Sequence, residues 1–97
     1  MNPNLKIHYA KHLKNRLALR NIEYDLPKIV YQNAEERYFD NETGHLIAVM
    51  ETDLYGKPRE LMVAYEKKKD IITLLTIHPL KSEQKNNRIK RDRWRKI

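Results

Sequence analysis

The sequence predicts an α+β fold made of two N-terminal helices, a four-stranded antiparallel meander sheet and a C-terminal basic helix. Three observations lead there. Apolar residues follow a helical period up to about residue 33, the period shifts toward two from Arg37 onward, and short turn-rich breaks separate the later segments.

Taken in order, Ala10, Leu13 and Leu17 fall at helical spacing within residues 7–21, with no Gly or Pro between them, which predicts helix one. Asp25 stands as an N-cap before Leu26-Pro27, and a proline in the first turn costs no hydrogen bond, so a short helix two is expected over residues 26–33. Four strands follow in RYFD, HLIAVMET, ELMVAYEK and DIITLLTI. The breaks at residues 41–44, 55–58 and 67–70 are too short for anything but antiparallel neighbours. In the third strand Leu61, Val63 and Tyr65 share one face and Met62 and Ala64 the other; the fourth, apolar on both faces, is expected at the covered centre. Pro79 ends it, since proline has no ladder donor. Ser82 is then expected to cap a last helix through Gln84, Asn87, Arg88 and Arg91 toward Trp94.

Ninety-seven residues make a single domain over 1–97, and a chain this short buries only roughly 60–65% of its unfolded surface. With no cysteine, neither disulfides nor a thiolate metal site can reinforce it. Residues 1–20 lack the apolar run of a signal segment and no stretch approaches a membrane span, so a cytoplasmic protein with no membrane association is expected.

The net charge of +7 is polarised. Residues 1–20 carry five bases and no acid, residues 81–97 carry eight bases against Glu83 and Asp92, and the middle of the chain is net −4. Two basic ends sharing a face would create a field suited to a polyanion.

Among the four histidines, His45 is a surface residue after a turn, while His8 and His12 lie one helical turn apart with Arg16 and Arg20 continuing the row. HYAKH lacks the glutamate and third ligand of a zinc site, so no metal and no cofactor are expected. Taken singly, His8 and His12 are explained as a helix cap and a solvated side chain. His78 stands where a strand hands over to a basic segment, and Arg88, Arg91 and Arg93 follow it closely. Metal-free RNA cleavage needs a base for the 2′-OH, an acid for the 5′-oxygen and cations for the phosphorane, and histidines with arginines supply all three. Lys81, Lys85, Arg88, Arg91 and Arg95 recur at i+3 or i+4, a cationic stripe able to track a phosphate backbone, with Arg93 adding grip and Trp94 offering a stacking surface for bases.

HxxxHxxxR in the first helix, TIHP at the strand end and RIKRDRW in the tail, in a helix-helix-sheet order, resemble a small member of the RelE/ParE-like toxin superfamily within the barnase, colicin and RelE nuclease fold. The resemblance runs from Lys6 to Trp94. It implies a metal-independent endoribonuclease toxin that acts on RNA and is held by an acidic antitoxin protein. By position, His12, His78, Arg16, Arg88 and Arg91 match the family's catalytic groups, while Lys81, Lys85, Arg93, Arg95 and Trp94, read from charge and residue type, are expected to bind RNA outside the reaction centre. The terminal tyrosine of the ribosome-dependent toxins is absent. Two alternatives stay open: a non-catalytic nucleic-acid-binding module, and a ParE-like toxin acting on a protein target. The RNA target and the oligomeric state are not specified by the sequence.

Overall fold

The computed structural model describes residues 5–97; residues 1–4, the start of the domain expected over 1–97, lie outside the described residues. The elements run β1 (Lys6–Tyr9), α1 (Lys11–Leu19), α2 (Leu26–Asn33), β2 (Glu36–Asp40), β3 (Leu46–Leu54), β4 (Lys57–Lys68), β5 (Ile71–Pro79), α3 (Gln84–Lys90) and β6 (Trp94–Lys96). The strands form one six-stranded sheet in the order β1-β5-β4-β3-β2-β6. The β1–β5 pair is parallel and the other pairs are antiparallel.

This corrects the expected four-stranded antiparallel meander behind two leading helices. The chain enters as a strand, because Lys6 N–H donates to Asp70 C=O at 2.7 Å and Ala10 N–H to Leu74 C=O at 2.9 Å, so β5 supplies a ladder that local periodicity cannot reveal. Within β1, Ile7 and Tyr9 turn toward the core while Lys6 and His8 are exposed. Ala10, expected inside helix one, is the extended residue before α1. His8 is therefore not one helical turn from His12.

At the other edge, β6 pairs with β2 through Asp40↔Trp94, Phe39↔Arg95 and Tyr38↔Lys96. The basic helix stops at Lys90 instead of reaching Trp94, and the chain turns through Asp92 in the left-handed region at φ 57°. Its N-cap is Glu83, also left-handed at φ 65°, in place of Ser82. The central strands are β4 and β3, whereas β5 lies one position in from the edge.

Period two in β4 sorts the two faces as the sequence indicates. Leu61, Val63 and Tyr65 join Ile72, Leu74 and Ile77 under α1 and α2, which bury Leu13, Leu17, Leu26 and Val30 against them. Met62 and Ala64 face the opposite side with Ile47, Val49, Tyr38, Leu80 and Trp94. The α3 helix is held to that second face by polar contacts, since none of its own residues is buried. Lys85 Nζ lies 2.7 Å from Glu60 Oε2 on β4 and 3.1 Å from Glu36 Oε1 on β2, and Tyr38 Oη donates to Glu36 at 2.8 Å. Burial and this Glu36 partner push the Tyr38 phenol up to about 12. The hydrogen bond to Glu60 raises the Lys85 ammonium, and that from Tyr38 lowers the Glu36 carboxyl.

The β2–β3 turn is built on Asp40, a carboxylate only 3% exposed. It accepts hydrogen bonds from the N–H groups of Glu42 at 2.9 Å and Thr43 at 3.3 Å, and from Arg93 at 3.2 and 3.3 Å. Burial pushes its pKa upward, but these donors outweigh burial and the carboxyl titrates below its ordinary value of 3.8. The unfolded chain therefore binds the proton first on acidification, and the stabilisation from Asp40, complete above about pH 4, is lost as pH falls through the folded value. D40N should cost about 1–3 kcal/mol at pH 7 and flatten the loss of stability as pH falls below about 4. Urea unfolding of wild type and D40N across that range checks this, and parallel pH curves would contradict it.

No helix among the described residues is long and apolar enough to cross a membrane.

Candidate active site

His78 reaches the site through the β4–β5 register. Pairing of Met62 with His78 and of Ala64 with Thr76 places Thr76 and His78 on the α3 face, with Ile77 between them turned to the α1/α2 core. The β1 strand pairs with residues 71–74 alone, so the outer edge of β5 beyond Leu74 has no strand beside it among the described residues. The α1 helix packs along β5 with Leu13 and Leu17 inward, and Arg16 extends past that free edge to the other face.

There Arg16 Nη1 lies 3.1 Å from both His78 Nδ1 and His78 Nε2, and 3.5 Å from Thr76 Oγ1. The two ring nitrogens point apart within the imidazole plane, and only one of them carries a lone pair in the neutral ring, so a guanidinium nitrogen equidistant from both lies over the ring face. His78 Nε2 also has Thr76 Oγ1 at 3.0 Å. His78 Nδ1 has no hydrogen-bond partner except Arg16 among the described residues. Burial first, then the charges of Arg16, Arg20 and Arg88, hold the imidazole below its ordinary 6.5. At neutral pH it is an uncharged base surrounded by cations.

Arg88 comes from α3. Its guanidinium lies 5.0 Å over the Trp94 ring and 3.7 Å from Met62 Sδ, an aromatic and thioether seat that fixes a cation without neutralising it. Arg16, Thr76 and His78 thus join a proton acceptor to a guanidinium at the free edge of β5, and Arg88 adds a second cation on the same sheet face, over Met62, the partner of His78 on β4. The chain matches no family model, no curated protein and no solved structure.

The other expected residues separate into distinct places. His12 is exposed on α1 and has no hydrogen bond or ion pair among the described residues, although it shares the helical row of Arg16 one turn away. Arg91 is exposed and lines, with Lys81, Arg88 and Arg93, a cleft of about 510 Å³ along α3. Lys85 is engaged by two carboxylates, Arg93 is paired with Asp40 and Glu42, and Arg95 lies on β6 with its guanidinium 5.2 Å over Phe39. The continuous cationic stripe therefore does not form, because α3 ends before Arg91.

Trp94, expected to stack on bases, is 1% exposed and stacks on Tyr38 with ring centroids 5.5 Å apart. Tyr9 stacks on Tyr24, and Tyr31 packs edge-on against Tyr65. His45 lies 3.6 Å from Glu66, and His8 is exposed on β1. The described residues hold no cluster of three or more His, Asp or Glu placed to bind a metal. Thr76 escaped sequence reasoning, although its position two residues before His78 on a strand was the available signal.

Proposed function

We propose that this chain is a metal-independent endoribonuclease whose reaction centre is His78 with Arg16 and Arg88. The observation that supports this is the uncharged His78 imidazole in contact with the Arg16 guanidinium, with Thr76 on Nε2 and the charge of Arg88 also acting on the ring. In this reaction His78 takes the proton of an RNA 2′-OH, and the freed oxygen attacks the adjacent phosphorus. The P–O5′ bond then breaks, leaving a 2′,3′-cyclic phosphate and a 5′-hydroxyl. Arg16 and Arg88 stabilise the phosphorane charge, where preorganised donors contribute most. Thr76 orients the ring through Nε2. His12, the histidine of α1 on the same helical row as Arg16, returns a proton to the leaving oxygen.

A toxin of this kind would act in the cytoplasm and be blocked by an acidic antitoxin that covers the same cations. The test is incubation of single-stranded RNA with the protein in EDTA. Cleavage is expected to persist, and an H12A/H78A double variant should lose at least about 10²-fold in rate. Cleavage abolished by chelation, or unchanged in the double variant, sinks the proposal. RNA bound without being cut would favour a plain binding module, and growth arrest with intact RNA would favour a toxin with a protein target.

A further inference from the structure

The cleft along α3 is separate from the His78 centre but shares Arg88 with it. Three of its cations, Lys81, Arg88 and Arg91, have no carboxylate within ion-pair distance among the described residues, and Glu42, the acid on its wall, is already paired with Arg93. Uncompensated charges around a common cavity are costly to hold together unless an anion neutralises them. The neutral groups on the wall point to more than a phosphate. The Asn87 side-chain amide makes no hydrogen bond among the described residues, and Gln84 uses its Oε1 to accept from Lys81 N–H at 2.9 Å, which leaves its NH₂ group available. Amides of this kind pair with base edges, and unpaired bases are how single-stranded RNA is read. A volume of about 510 Å³ is ample for a nucleotide.

We infer that this cleft is a nucleotide subsite that holds the phosphate and base of the residue neighbouring the one attacked at His78. The inference rests on the ribonuclease reading for its orientation but not for its existence. Arg88 lies in the last turn of α3 and Arg91 is its C-cap, three residues on, so both line the same cleft at a separation comparable to successive phosphates on one strand. A strand crossing from His78 along α3 would therefore meet Arg88 and then Arg91, while Asn87 and Gln84, which precede Arg88 on the same cleft wall, meet the base. This makes Arg91 a substrate-binding residue outside the reaction centre.

Calorimetric titration of the full chain with each nucleoside 5′-monophosphate and with inorganic phosphate tests this. Fluorescence of Trp94, the one tryptophan, gives a second readout because Arg88 lies on its ring. At least one nucleotide should bind about tenfold more tightly than phosphate, and R91A should lose about tenfold of that affinity. N87A should lose preference among the bases. Asn87 and Arg91 are exposed, so neither variant threatens the fold. Equal affinity for nucleotide and phosphate, nucleotide affinity unchanged in R91A, or base preference unchanged in N87A overturns the subsite. Nucleotide binding in a protein that never cleaves RNA would keep the subsite and remove the ribonuclease. Cleavage that depends on His78 without nucleotide binding would do the reverse.

Discussion

Replacing Arg16 by alanine should slow RNA cleavage by about 10²- to 10³-fold and raise the pKa of His78. The two effects share a cause, the guanidinium at 3.1 Å from both ring nitrogens. Removing it deletes a cation that resists protonation of the ring, so the acidic limb of the pH–rate profile should move to higher pH. In the proposed reaction it also deletes a donor to the developing phosphorane charge, which would account for a loss at pH values where His78 is uncharged in both proteins. R16K separates these roles: the positive charge should keep the His78 pKa low, while the lost planar donor fork should still reduce the rate. NMR titration of the His78 ring, with pH–rate profiles for the three proteins, provides the measurement. A His78 pKa that does not move in R16A would contradict the geometry. Stability follows with a definite sign. Because folding depresses the His78 pKa, the unfolded chain takes up the proton first as pH falls below about 6.5, and acidification there weakens the fold, less so in R16A.

Trp94→Ala should cost about 3–5 kcal/mol, a large part of the roughly 5–15 kcal/mol that stabilises a small domain. Trp94 is 1% exposed, stacks on Tyr38 and anchors β6 opposite Asp40. Its loss would leave a cavity under the C-terminal segment and remove the seat of Arg88. Trp94→Phe should recover most of that stability, because the indole Nε1 is buried with no hydrogen-bond partner among the described residues. An aromatic ring without the N–H forfeits packing volume and no hydrogen bond. Urea unfolding of both variants decides this, and equal destabilisation by Ala and Phe would show that the N–H has a partner.

How much of this was legible in the sequence differs from element to element. The second helix and the two faces of β4 were readable because proline placement and a run of alternating buried side chains are local signals. The first strand was not, because Ala10, Leu13 and Leu17 sustain a helical period and the partner of β1 lies some sixty residues later. The last strand was hidden by basic composition: WRK reads as solvated helix until β2 is seen beside it. In the site, the chemistry of His78 and Arg16 was visible in residue type, and their contact across 62 residues follows from packing of α1 on β5. Trp94 and Lys85 misled because an aromatic ring and an amine suit RNA equally well in a sequence, whereas the fold buries the first and engages the second with Glu36 and Glu60.

In the proposed reaction His78 activates an RNA 2′-oxygen without a metal. The most direct measurement is cleavage of one defined single-stranded RNA in EDTA by wild type and H78A, alongside the same strand carrying 2′-deoxy nucleotides at the cut sites. Wild type should leave 2′,3′-cyclic phosphate ends, spare the deoxy positions and lose at least about 10²-fold in rate on H78A. Cutting at deoxy positions, or equal rates for wild type and a folded H78A, would contradict the account.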